Sequence, residues 1–412
     1  MIILFIIFSW FLVVFNFFVK KDFLYPAFLQ SILWSIVITI YGILGGEYRE
    51  LQFKTLLIIL LGNISFTITS FIVIKILDFK KTSEDLSLKR NLNLKVMFIL
   101  TLFNLIFFPS FLIKLYSVSS FSNLISYSDT IGAAKLDGEL SSYAIFMWVA
   151  IVSCLLSLNK ILKTEKKFDR KNHYFKVIFA LNLLISMSYV LLFSARNFLI
   201  GFLISLIFLS ILNKKISFIK AITLSSVFFT IVFIGYSFIQ DSNYLESITY
   251  QSKIETIYKM FLLYTIGSLS AFDYVVNTSV TNYEFGINSF RIILLRFNDI
   301  GFNFPISSLV KEFVFVPYAT NVYTYLLPYY EDFGWIGVVV FNFVLGGCHS
   351  IVYYRARQGR FFSQVLYVLT LEALFYQFFT DFYFTILTKW IVYIFILFSI
   401  KLLSRSGEKN VV

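Results

Sequence analysis

Apolar runs of about 18 residues or more recur along the whole of this chain, each long enough for a helix to cross a bilayer. Met1 to Val19 is the first, and others begin near Ala27, Thr55, Val96 and Ser141. A single water-excluded core does not need so many. Of the 412 residues 58% are hydrophobic and only 14% charged, against about 25% charged in an ordinary globular domain. Inside a bilayer each backbone group must be satisfied within the protein, so helices are the spanning element. The fold class is an all-α polytopic integral membrane protein.

The runs read as about 11 (10–12) transmembrane helices. About eight lie in residues 1–239; a polar interval follows over 240–332, further spans over 333–403, the last two joined by a short turn around Asp381, and a polar tail over 404–412. One structural unit is expected. The first run has no basic stretch before it and no small-residue cleavage site, so it reads as a retained helix.

Basic residues report the orientation. Of the 35 Lys and Arg, 24 fall on one side of the eleven-span arrangement and 11 on the other. Lys80, Lys81, Lys89, Arg90 and Lys95 share one loop, and Lys160 to Lys176 carries seven more basic residues. This bias places those loops and the tail in the cytoplasm, and the N-terminus and the polar interval outside. The net charge of +12 thus speaks of membrane orientation, not of nucleic acid.

The polar interval is the expected seat of chemistry, because long loops held by a rigid scaffold commonly carry function. From Asp241 to Asp332 it holds nine carboxylates and five basic residues, Lys253, Lys259, Arg291, Arg296 and Lys311. Ile257 to Val276 is apolar enough to form an amphipathic or re-entrant helix.

Other chemistries leave no trace in the motifs. The chain has no phosphate-cradling P-loop, zinc motif or nucleophile elbow. Nor does it have the paired Gly/Pro-interrupted helices of inverted-repeat transporters. Cys154 and Cys348 lie in apolar runs, where a thiol acts as a small hydrophobe. His173 and His349 fall toward the cytoplasmic side. No cofactor and no metal is expected.

Several stretches together resemble the O-antigen polymerase (Wzy) family, the oligosaccharide repeat-unit polymerases of bacterial surface-polysaccharide assembly. The main match is Asn321-Val322-Tyr323-Thr324, then Tyr329-Tyr330-Glu331-Asp332-Phe333-Gly334-Trp335-Ile336-Gly337, then Gly346-Gly347. Ser194-Ala195-Arg196, Gly267 to Tyr274 and Asp22 to Ala27 are similar in their turn. The resemblance implies a metal-independent, multispanning glycosyltransferase of GT-C type in the bacterial cytoplasmic (inner) membrane. It would transfer the growing glycan from undecaprenyl diphosphate to an incoming lipid-linked repeat on the outer face, building O-antigen, capsule or exopolysaccharide. The implied partners are undecaprenyl-diphosphate-linked oligosaccharide and membrane lipid, with the chain-length regulator and flippase of the same pathway.

Such a reaction must hold a diphosphate leaving group and take a proton from a sugar hydroxyl. Arginine suits the diphosphate because its planar fork stays charged and binds phosphate oxygens in pairs. Arg196, Arg291 and Arg296 are therefore the expected diphosphate-binding residues. Arg196 equally fits a cation snorkelling to the interface. Arg291 and Arg296 lie about 140° apart around a helix and share a face only loosely.

Asp273, Glu331 and Asp332 are the candidate bases, with Glu284 and Asp299 behind them. Asp273 lies in an apolar context, Ala271-Phe-Asp-Tyr274, that suits a carboxyl for proton transfer. Glu331 and Asp332 precede Gly334 and fit helix capping as well as catalysis. Lys259, Tyr323 and Tyr330 are expected to face substrate, although interfacial packing fits both tyrosines too.

Three other readings stand beside the polymerase, one of them a non-enzymatic scaffold of an assembly machine. A lipid-linked saccharide flippase or transporter calls for a polar path through the spans, where ionisable residues are few. An O-antigen ligase resembles the same layout but is associated with a histidine in the large outer loop, and this loop has none.

Overall fold

A computed structural model describes residues 1–79, 92–118, 140–164, 170–193, 196–239, 253–278, 283–308 and 310–406. The helices are α1 (Ile2–Lys20), α2 (Pro26–Leu44), α3 (Phe53–Phe79), α4 (Leu94–Val118), α5 (Tyr143–Lys163), α6 (Arg170–Leu192), α7 (Arg196–Leu212) and α8 (Phe218–Ile239). They continue with α9 (Lys253–Leu262), α10 (Ser268–Thr278), α11 (Arg291–Asp299), α12 (Leu327–Arg357), α13 (Phe361–Phe375) and α14 (Leu387–Ser406). A π-helical turn, Leu263–Gly267, joins α9 to α10.

Among the described residues eight helices are long and apolar enough to cross a membrane, namely α1 to α6, α12 and α14. Three shorter apolar helices lie within α7, α8 and α13. α13, with 15 residues, rises only about 22 Å, less than the roughly 30 Å of hydrocarbon. The chain is a polytopic helical membrane protein.

The chain divides into two compact units. The first comprises Met1–Glu84, Tyr250–Tyr354 and Ala373–Leu387, and the second Asp85–Thr249, Arg355–Glu372 and Thr388–Val412.

In the first unit apolar side chains cover the outside of the helices as well as the core, and polar ones are buried among the core residues. α1 exposes Ile3, Leu4, Ile7, Phe11 and Phe18 while burying Ser9 and Asn16. Lipid tails are as apolar as Leu, so polar contacts and close packing bind these helices instead. The Asn16 amide donates to the Ala27 carbonyl at 3.3 Å, Ser31 Oγ at 2.6 Å and Thr67 Oγ1 at 3.2 Å, tying α1 to α2 and α3. α1 stops where Lys21 turns left-handed, at φ 48°. Pro26 then opens α2, its fixed φ suiting the first helical position.

α12 packs against α3 through small residues. A Cβ added at Gly346 would lie 2.5 Å from the Phe66 carbonyl oxygen, so only glycine permits this approach. Upstream, α12 is broken at Gly334, whose φ of 63° and ψ of −152° are non-helical. Gly337 follows the break, and a Cβ there would meet the Tyr329 carbonyl oxygen at 2.3 Å. A short antiparallel hairpin precedes α12, with Val314 opposite Thr320 and Phe315 opposite Ala319.

Buried amides also join the helices of the second unit. Asn104 on α4 donates to Asn182 on α6 at 2.9 Å, and Asn182 donates to Thr101 Oγ1 at 2.8 Å. Ser205 on α7 donates to the Val368 carbonyl of α13 at 3.0 Å. Phe111 stacks on Phe193 with ring centroids 5.0 Å apart.

Candidate functional site

In the first unit, the break at Gly334 leaves a short helical piece, Leu327 to Phe333, ahead of the long apolar part of α12. Asp332 in that piece is fully buried. Its Oδ2 accepts from Ser289 N–H at 2.6 Å, and its Oδ1 accepts from the Asn288 backbone N–H at 3.1 Å and side-chain amide at 3.0 Å. These donors belong to the turn that leads into α11. Asp332 therefore does not cap its own helix, as its position before Gly334 allowed, nor is it open to a substrate hydroxyl. It clamps a distant turn in which Phe285 and Gly286 both have positive φ.

Glu331, one residue earlier, sits differently. Its Oε2 is 2.5 Å from Lys311 Nζ, and the two side chains are 23% and 29% exposed. Lys311 also donates to Asn288 Oδ1 at 2.8 Å, and the Asn288 amide donates to Glu284 Oε2 at 2.7 Å. Glu284, Asn288, Lys311, Glu331 and Asp332 thus form one linked cluster, in which Glu331 is a mostly buried but still accessible carboxylate fixed by a cation. Such a group can accept a proton while the lysine neutralises nearby negative charge. Lys311 and Asn288 were not among the sequence candidates; 20 residues separate Lys311 from Glu331, and no motif joins them.

The arginines of α11 have separate surroundings. Arg291 donates from Nε to the Ser307 carbonyl at 2.9 Å, and its partial burial lowers the guanidinium pKa. Arg296 is mostly exposed and pairs with Asp299 at 2.8 Å. Arg196 opens α7 in the second unit, and its side chain lies outside the described residues.

Lys259 of α9 stands beside Glu255 at 3.1 Å and Glu47 at 3.9 Å, with the Tyr318 ring centroid 5.8 Å away. The Glu255 contact, followed by Tyr318, raises its pKa. Tyr318 in turn donates to Glu47 Oε2 at 2.7 Å.

The remaining sequence candidates lie in the packing. Asp273 is buried; its Oδ1 accepts from Gln52 N–H at 2.9 Å and from the Asn277 amide at 3.1 Å. Tyr330 was expected to face substrate but is buried, with its hydroxyl on the Val276 carbonyl at 3.4 Å and its ring against Phe272. Tyr323 is buried as well and donates to the Glu312 carbonyl at 2.8 Å. Burial first, then the Glu331 and Glu312 charges, pushes its phenol up to about 12.

A second polar feature of this unit is the non-helical stretch 376–386, expected as a short turn around Asp381. It reaches α12 well past the Gly334 break, where Phe384 meets Phe341 at 5.0 Å and the Tyr383 hydroxyl is 3.0 Å from His349 Nε2. Asp381 organises the stretch by accepting Tyr383, Phe384 and Thr385 N–H groups and the Tyr329 hydroxyl. Gln377 accepts from Trp34 Nε1 at 3.2 Å and donates to Tyr383 at 3.1 Å. Irregular backbone buried in this way is tolerated where side chains such as Asp381 satisfy its N–H groups.

Buried polar glue, lipid-facing apolar helices and a folded polar segment define the class as a polytopic membrane protein carrying a charged cluster on its polar interval. A protein of Escherichia coli (strain K12) named "Putative O-antigen polymerase" is 23% identical over 402 residues, covering 91% of each chain. No protein-family profile matches, and no solved structure does.

Proposed function

We propose that the chain polymerises lipid-linked oligosaccharide repeats, moving the growing glycan from a polyprenyl diphosphate to an incoming lipid-linked repeat on the outer face of the cytoplasmic membrane. The end-to-end similarity to the named polymerase carries this reading, since it spans the apolar helices and the polar interval together. The resemblance around Tyr329 to Gly337 points the same way, and that stretch contains Glu331, whose side chain is partly exposed.

Within the first unit, Glu331 is the base that takes the acceptor hydroxyl proton, and Lys311 holds it in place. Arg291 offers its planar fork to phosphate, with Arg296 and Lys259 as further cations of the same interval. Arg196, at the head of α7, is a phosphate-binding cation of the second unit. As the hydroxyl oxygen bonds to the donor's anomeric carbon, the bond from that carbon to the phosphate oxygen breaks. The diphosphate leaves with the electron pair, and the proton passes to Glu331.

The test uses purified full-length protein in liposomes with lipid-linked repeat units. A ladder of products longer than one repeat, lost on Glu331→Gln, is expected. Translocation of single repeats across the liposome membrane with no ladder would establish the flippase reading instead.

A further inference from the structure

In the polar interval, α11 and the loop after it hold large apolar side chains outward. None of the nine residues of α11 is buried. Ile293 and Phe297, one turn apart, form an exposed stripe, and Ile300, Phe302 and Phe304 follow, with Ile300 71% and Phe302 54% exposed. Apolar groups gathered in this way mark a surface that meets a protein partner or a membrane.

The display has a rigid frame. Gly301, at φ 102°, turns the chain back after α11, and Phe302 N–H then donates to the Phe297 carbonyl at 3.1 Å. Asn298 clasps Phe304 with both ends of its amide, Nδ2 donating to the Phe304 carbonyl at 2.9 Å and Oδ1 accepting the Phe304 N–H at 2.7 Å. Phe297 thus lies 5.5 Å from Phe302 and 6.1 Å from Phe304, whose rings stack on each other at 5.7 Å. Polar groups here fix the backbone while three phenyl rings stay outside it.

The neighbours of this knob identify what covers it. Phe290, directly before α11, packs its ring on Phe341 at 5.9 Å. Phe341 is seven residues past Gly334, about 10 Å further along α12, and α12 is long and apolar enough to cross a membrane. Over the same stretch α12 exposes Trp335, Ile336 and Val340, as a lipid-facing helix with an interfacial tryptophan does. The knob therefore continues a lipid-facing surface. Arg296 stands about 100° around α11 from Phe297 and is mostly exposed. A cation on the flank of an apolar stripe reaches the headgroup layer while the stripe enters the acyl boundary.

We propose that residues 291–304 are a membrane-surface anchor, with the Phe297, Phe302 and Phe304 rings seated in the bilayer at the acyl and headgroup boundary beside the start of α12. The anchor holds the Glu331 cluster against the membrane surface, because Asn288 of that cluster lies three residues before α11. It does not depend on the chain being a polymerase.

The test places one spin label on the full chain in liposomes of phosphatidylethanolamine and phosphatidylglycerol, with Cys154 and Cys348 changed to Ala. The label sits at Ile300→Cys, at Phe302→Cys or, on the polar side of α11, at Asp299→Cys. Oxygen concentrates in hydrocarbon and a nickel chelate in water. Oxygen is expected to relax the label more than the chelate does at 300 and 302, with the order reversed at 299. Chelate access at 300 and 302 equal to that at 299 would put the knob in water and overturn the proposal. Exclusion of both reagents would overturn it in favour of a protein cover, a second copy if unlabelled chain relieves the spectral broadening.

A second measurement needs no label. Phe302→Ser/Phe304→Ser is expected to melt as the native chain does in detergent, yet to open residues 283–304 to protease in liposomes. Protection equal to that of the native chain would overturn the anchor. Neither experiment reads product, so failure of the polymerase reading leaves both results standing.

Discussion

Lys311 Nζ lies 2.5 Å from the Glu331 carboxylate and 2.8 Å from Asn288 Oδ1, so one lysine joins the start of α12 to the turn before α11. Asp332, the next residue, faces the same turn but is enclosed by it. The neighbouring carboxylates thus differ in surroundings, Glu331 being partly exposed and paired with a cation and Asp332 buried against the Asn288 and Ser289 donors.

Glu331→Gln is expected to reduce polymer synthesis about 100-fold, the usual scale for removing a general base, with little change in melting temperature. Labelled-product ladders from liposomes measure the first and a detergent melt the second. A loss of stability with unchanged synthesis per folded molecule would refute the role of Glu331.

Asp332→Ala removes a buried carboxylate that accepts three hydrogen bonds from Asn288 and Ser289. Leaving these donors unpaired costs about 3 kcal/mol. The expected readout is a lower melting temperature and greater protease sensitivity over residues 283–299. Asp332→Asn should recover part of the loss.

Gly346→Ala places a Cβ 2.5 Å from the Phe66 carbonyl oxygen, and backbone cannot turn aside as a side chain can. A cost of about 1–3 kcal/mol is expected as α12 is pushed from α3. Gly359→Ala makes a useful contrast, since no atom lies within 4 Å of its added Cβ; only its φ of 77° opposes the change.

Alkaline pH tests the surroundings of Tyr323. Its folded-state value of about 12 lies above the ordinary phenol value of about 10. The stability contributed by the neutral phenol is therefore complete below about pH 10 and lost as pH rises through the folded value. Melting temperature should fall further between pH 9 and pH 11 in the native chain than in Tyr323→Phe.

The membrane-spanning character was legible because hydropathy over about 18 residues is a local property. Gly334, Gly337 and Gly346 were also legible as special, since the spacing of small residues is written in the chain. The end of α13 was legible only as a short turn around Asp381; the fold leaves helix earlier, after Phe375, and Asp381 then collects the N–H groups of Tyr383, Phe384 and Thr385. Asp332 shows the converse. Its motif invited a catalytic or capping role, yet the donors it serves lie more than 40 residues away.

The most direct test of the central claim is an electrophoretic profile of surface and lipid-linked saccharide from cells lacking this chain, with and without the intact copy restored. The polymerase account predicts single repeats accumulating on the outer face, loss of the ladder of longer chains, and recovery of the ladder on restoration. Single repeats confined to the inner face, or an unchanged ladder, would contradict it.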